Sequence, residues 1–369
     1  MKNRTWKKGE HADGLMKAGR LFKLVTVGLI SVGLIGTAAA GPREQAKRIH
    51  DRLAGVPPTE AVLSQMEASI ATGPAGALAA ANLAMEDPNF YNVTLKNFAA
   101  PWTNREGSVF VPLNDYIATV IGMIRDDKPF NTLFSANILY VGPGSLPPYS
   151  NNNNNHYQAM EDQSIDMKAG LQEMVQSNVT GLPQSAVAGV WTTRAAAEAF
   201  FVAGTNRAQF RFTMLNHLCN DMEQVHDVKR VPDRIRQDVS RSPGGDSRLF
   251  LNNCIGCHSG MDPMAGAFAY YNFNETTGSI EYTPNVVQPK YFNNDTNFET
   301  GYRTTDDSWM NYWRGGQDQF LGWAQSGPGS VGSGSGAASM GDELANSDAF
   351  ASCQVKKVFR TVCLREPED

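Results

Sequence analysis

The sequence predicts a mainly α protein, with an N-terminal helical region followed by a C-terminal module built around Cys254-Ile255-Gly256-Cys257-His258. Three observations predict it. Apolar residues recur at helical spacing through most of the chain, and the breaks between such segments carry Gly, Pro and Asn. The closing segment, Ser347–Leu364, is amphipathic and reads as a final helix.

Residues 1–40 read as an export signal. Lys2, Arg4, Lys7, Lys8, Lys17 and Arg20 form a basic leader, Leu21–Ala40 is almost wholly apolar apart from Lys23, and Thr37-Ala38-Ala39-Ala40 supplies the small residues of a cleavage site. The mature chain is then expected to begin at Gly41, outside the bacterial cytoplasm, in the periplasm or beyond. An uncleaved apolar run of this length is the alternative, and only in that case is a membrane a partner.

The whole chain has a formal charge of −5, and removing the leader leaves 25 basic against 35 acidic residues. An acidic surface argues against nucleic acid, because no basic stripe is left to neutralise phosphates. It suits association with a basic redox protein, and equally the solubility of an exported one.

Residues 41–150 read as helices separated by short breaks. Arg43–Leu53 carries Ala46, Ile49 and Leu53 on one face and stops before Gly55-Val56-Pro57-Pro58; Thr59 caps a second helix with Val62, Met66 and Ile70 as its stripe. Gly76–Met85 is Ala-rich and ends at Asp87-Pro88. Asp115–Ile124 and Phe130–Leu139 are two further short apolar segments.

Residues 151–235 combine a connector with a long helical segment. Val141–His156 holds three prolines and five consecutive Asn at 151–155, which reads as a solvated connector. Thr192–Val228 is the longest helical candidate. On an unbroken helix its His217 and His226 would lie on opposite faces, so they would not share one ligand.

Residues 236–369 contain the chemistry. Two thiols three residues apart, followed at once by His, form the pattern by which haem is attached covalently in c-type cytochromes, so Cys254 and Cys257 are expected to form the thioethers and His258 to bind the iron. The domain is therefore expected to be cytochrome-c-like and to hold one haem c. No second CxxC is present to complete a zinc site, and no strand–helix pattern of a thioredoxin surrounds this one. Asp246–Leu251 reads as the helix leading in. A carbonyl near Pro263 is the expected acceptor for the second imidazole nitrogen, while Met261 and Met264 are expected to pack at the porphyrin edge.

A sixth ligand should come from farther along. Met340 is the first choice, in the flexible Gly/Ser-rich stretch 325–339 and its end, just before the final helix; Met310 is the second, and His217 or an open position follow. The final helix is expected to bury Val355, Val358, Phe359 and Val362, leaving Lys356, Lys357, Arg360 and Cys353 on the polar side. Cys353 and Cys363 lie about 15 Å apart along a helix and cannot pair, so Cys219 is free to join either one, and one thiol is left over.

Leu215-Asn216-His217-Leu218-Cys219, Pro243-Gly244-Gly245-Asp246 and Cys254 through Met261-Asp262-Pro263 resemble exported bacterial cytochrome-c-like proteins of unassigned function, whose haem motif commonly runs on into Met-Asp-Pro. Phe350-Ala351-Ser352-Cys353-Gln354-Val355 through Arg365-Glu366-Pro367 is similar to their closing helix, and Leu53–Thr59 to an element of their N-terminal regions. The resemblance implies a haem protein and supplies no substrate. Dihaem peroxidases and haem-containing rubber oxygenases carry two attachment motifs, whereas this chain has one.

The expected function is single-electron transfer to an unidentified redox partner protein. A haem enzyme is the alternative, for which Glu223 and His226 are candidate acid–base groups. A cell-envelope binding protein with structural haem is a third reading. Roughly 200 residues precede the haem unit, more than a small electron carrier needs.

Overall fold

The computed structural model describes residues 40–202, 204–230, 234, 247–292 and 302–368. Nearly all of the expected export signal, the expected start of the haem unit near Arg236 and the segment Pro243–Asp246 lie outside the described residues. The chain is mainly α, with three two-stranded antiparallel ribbons. Among the described residues no helix is long and apolar enough to cross a membrane.

Helices Pro42–Leu53, Glu60–Ile70 and Pro74–Ala84 pack on a small core of their own, built from Ala46, Leu63, Met66, Ile70, Ala80 and Ala84. Their starts are local chemistry. Pro42 and Pro74 occupy first-turn positions where a missing N–H costs nothing, and Thr59 Oγ1 accepts from the Val62 amide. Gly76 allows the third helix to lie flush on the second, since a Cβ there would meet the Ser69 carbonyl oxygen at 1.8 Å.

A second, larger core runs from Phe90 to Phe350 and draws residues from both sides of positions 150 and 235. Its axis is helix Asp115–Arg125, buried along nearly its whole length. Asp115 is buried beneath the start of helix Arg194–Phe200 and accepts from the amides of Arg194 at 2.6 Å and Ala195 at 3.0 Å, so a carboxylate caps a neighbouring helix from below.

The ribbons pair β1 (Ile138–Val141) with β2 (Gln172–Val175), β3 (Tyr271–Asn274) with β4 (Ser279–Tyr282), and β5 (Ser308–Met310) with β6 (Ser333–Ser335). Phe130–Leu139 is thus not a helix. It divides into a 3₁₀ turn at Phe130–Thr132 and the start of β1, where Leu139 and Tyr140 are buried against the Asp115–Arg125 helix.

Three further expectations are corrected. The Gly/Ser-rich stretch is docked: Arg314 donates to the carbonyls of Ala324 and Gly329, and the Gly332 amide reaches the fully buried Glu343, which Arg314 and Asn311 also contact. A buried carboxylate needs such partners, and they fix the segment around it. The Asn run likewise ties elements together, as Asn151 donates to Thr180 O and Asn154 to Leu113 O. Thr192–Val228 breaks after Phe200 and resumes as Arg207–His217; between them Asn206, at φ 58°, donates to the carbonyls of Phe268 and Tyr271. Cys219, at φ 54°, keeps the chain from continuing as helix.

The final helix, Asp348–Cys363, begins on a Ser347 cap and is joined to Cys219 through Cys353 by a disulfide. It presents a different face from the one expected: Phe350 and Cys353 are buried, whereas Val355 and Val358 are 71 % and 52 % exposed. The disulfide fixes the rotation. Lys357, expected outside, seats its ammonium 3.6 Å over the Trp102 ring and donates to Asn216 O; burial pushes its pKa well below the ordinary lysine value. Cys363 is an exposed free thiol.

Candidate functional site

Cys254 is the N-cap of helix Ile255–Ala265, and Cys257, His258 and Asp262 follow on that helix. At about 100° per residue, Cys254, Cys257 and His258 share a sector of about 100°, with Gly256 about 100° and Gly260 about 60° beyond its Cys257 edge. The two glycines are where the helix is pressed against its neighbours. A Cβ on Gly256 would meet His226 Nε2 at 2.3 Å, and one on Gly260 would meet Trp313 Nε1 at 1.9 Å. Pro263 lies inside the helix without ending it.

The segment before the site holds it from one side. The Asp227 amide donates to Gly256 O at 3.0 Å, and Cys257 Sγ lies 3.5 Å from Met222 O. Burial pushes the Cys257 thiol up, with Cys254 and the acidic residues Asp221 and Glu223 adding to the effect. Neither Cys254 nor Cys257 is disulfide-bonded, and both are half-buried.

His258 is held by a carboxylate. Its Nδ1 lies 3.0 Å from Asp262 Oδ1, the Phe250 ring packs edge-on at 5.0 Å, and the imidazole is 20 % exposed. Asp262 is 1 % exposed and also accepts from Arg207 Nε at 2.9 Å. The second-nitrogen partner is therefore this side chain and not a carbonyl near Pro263, because position 262 lies one helical turn after His258 and faces the same way. With the proton on Nδ1, the Nε2 lone pair is left to bind a metal.

The other candidates lie elsewhere. Met340 is fully buried on helix Ala337–Ala345, not in a loop, and that helix packs on the 266–268 turn, the 130–132 turn and the final helix. Met310 ends β5, the strand that packs directly on the Ile255–Ala265 helix. Met261 and Met264 are buried in the main core.

His217 belongs to a different environment altogether. Its Nε2 lies 2.8 Å from Tyr116 Oη, its ring sits among Trp102, Phe134 and Phe350, and burial pushes its pKa well below 6.5. The broken helix removes the premise that set His217 and His226 on opposite faces. His226 is exposed beside Gly256, whereas His217 is a core residue.

Sequence reasoning missed Asp262, Arg207 and Trp313 as parts of this site. The spacing of Asp262 from His258 could have found the first; Arg207 and Trp313 arrive from distant segments and left no local signal. Among the described residues, no group of three or more His, Cys, Asp or Glu is arranged to hold a metal ion. No family model, curated protein or solved structure matches this chain.

Proposed function

We propose that this chain is an exported monohaem c-type cytochrome that passes single electrons to a partner protein, with Cys254 and Cys257 carrying the porphyrin and His258 binding its iron. The observation that carries the reading is the His258–Asp262 hydrogen bond, which presents Nε2 as a ligand beside two unpaired thiols on one side of a helix. The residues fit the group: two thiols for two vinyl carbons, one imidazole with its tautomer fixed, and an aromatic edge from Phe250 against the ring. When bound, haem supplies reversible one-electron exchange.

The protein's own part is orientation and insulation. Asp262 holds the proton on Nδ1, Phe250 restricts rotation of the ring, and the glycine face lets Trp313 and His226 close over the back of the helix. A cytochrome-c-like unit over 236–369 is part of the same proposal, in which Met340 would give a thioether to the iron on leaving its buried seat on helix Ala337–Ala345. The Cys219–Cys353 disulfide accords with an oxidising, extracytoplasmic compartment, and the acidic surface with a basic redox partner.

A haem enzyme is the second reading, favoured by one observation. The Asp262 carboxylate beside His258 Nδ1 would make the imidazole a stronger electron donor to a bound iron, a property that suits a peroxide-cleaving enzyme as much as a carrier resting oxidised. The ferric optical spectrum separates the two. The carrier reading expects a low-spin spectrum with a weak far-red band that Met340→Ala abolishes and Met310→Ala leaves in place. A high-spin spectrum that reacts rapidly with peroxide would replace electron transfer by the enzyme reading.

A further inference from the structure

Asp262 does more than fix a tautomer, because one of its oxygens serves two donors. Oδ1 lies 3.0 Å from His258 Nδ1 and 2.9 Å from Arg207 Nε. The carboxylate is almost wholly buried, while the guanidinium is 21 % exposed. Arg207 opens helix Arg207–His217, which packs along the Ile255–Ala265 helix, so the spacing of the three groups is set by two packed helices. In such a setting charges interact more strongly than in water.

We propose that Asp262 and Arg207 are an opposed pair of positioning residues that sets the reduction potential of the iron through His258, an inference that rests on the haem reading above. A buried carboxylate accepting the Nδ1 proton increases electron density at Nε2, which favours the oxidised metal. Arg207 draws on the same oxygen and lowers its power to accept. The two side chains therefore act on the iron in opposite directions, although they touch each other. A role confined to holding the helices together would not produce shifts of opposite sign.

The test is a spectroscopic redox titration at fixed pH of the exported, haem-loaded full chain, with haem content of each variant read as pyridine haemochrome. Asp262→Asn keeps an oxygen to accept from Nδ1 but removes the negative charge. It should raise the potential by about 59 mV or more, a tenfold change in the ratio of oxidised to reduced protein. Arg207→Gln should lower the potential, by less, because its guanidinium is partly screened by solvent. Arg207→Lys, which keeps the charge, should stay closer to the wild type than Arg207→Gln.

Shifts of the same sign, or none, in variants that retain haem would overturn the proposal while leaving the haem reading intact. A wild type without haem would overturn that reading instead. Should Asp262→Asn fail to retain haem, the two Arg207 variants decide: a lowered potential in Gln with recovery in Lys supports the opposed pair, and equal potentials in both defeat it.

Discussion

His217 and His258 lie on helices that pack against each other, yet their surroundings give them different chemistry. His217 is enclosed by Trp102, Phe134 and Phe350 and has Nε2 engaged by Tyr116, while its pKa is pushed down by burial. His258 is partly exposed and has Nδ1 engaged by a carboxylate, so Nε2 is the nitrogen left outside that hydrogen bond. Residue type identifies neither role. Which ring nitrogen is occupied, and by what, distinguishes a core histidine from a ligand.

The largest effect expected from breaking this contrast is on stability. His217→Ala should cost about 3–5 kcal/mol, from a cavity among aromatic rings and a stranded Tyr116 hydroxyl, without changing haem content in the folded fraction. Denaturant titration with haemochrome measurement checks both halves. His258→Ala should alter the iron spectrum at a smaller cost to the haem-free chain, about 1–3 kcal/mol, because the buried Asp262 carboxylate loses one of its donors.

The roof of the His217 cage is pinned by the disulfide through the final helix, which carries Phe350. Cys353→Ser should destabilise the protein by about 2–4 kcal/mol and increase exchange of amides in Asp348–Cys363. Tyr116→Phe should cost about 1–3 kcal/mol, because it leaves a buried imidazole nitrogen without its partner.

The smallest effect is on pH dependence. His217 remains neutral in the fold but takes a proton when unfolded below its ordinary value of 6.5, so its contribution to stability is present above that pH and is lost as pH falls below it. The slope from this group reaches at most about 1.4 kcal/mol per pH unit. His217→Gln should flatten the stability curve between pH 6.5 and 5; an unchanged slope would mean that the imidazole is not excluded from protonation.

Much of the α-helical framework was legible in the sequence because its signals are local. Thr59 and Ser347 cap the helices that follow them, and apolar spacing marked Pro42–Leu53, Glu60–Ile70 and Asp115–Arg125. Cys219 was narrowed to two partners, of which Cys353 is the one bonded. What failed depends on distant residues. Val355 and Val358 looked like a core stripe, but the disulfide and the Trp102 seat for Lys357 turn the helix so that Cys353 faces inward. Asn206 hid a break within a periodic segment because its anchors, Phe268 and Tyr271, lie far along the chain.

At the site, the sequence drew attention to Cys254, Cys257 and His258, and the structure shows what surrounds them. Asp262 was readable from helical spacing, yet Arg207 reaches it across 55 positions. The missing side chains of Gly256 and Gly260 make room for His226 and Trp313, a need that appears only when distant segments are packed on the helix.

Covalent haem is tested by the intact mass of the purified chain, measured beside its pyridine haemochrome. The expected result is a coloured protein heavier than its polypeptide by one haem under denaturing conditions, and no covalent increment after both Cys254→Ala and Cys257→Ala are introduced. A colourless wild type with the mass of the bare polypeptide would contradict it.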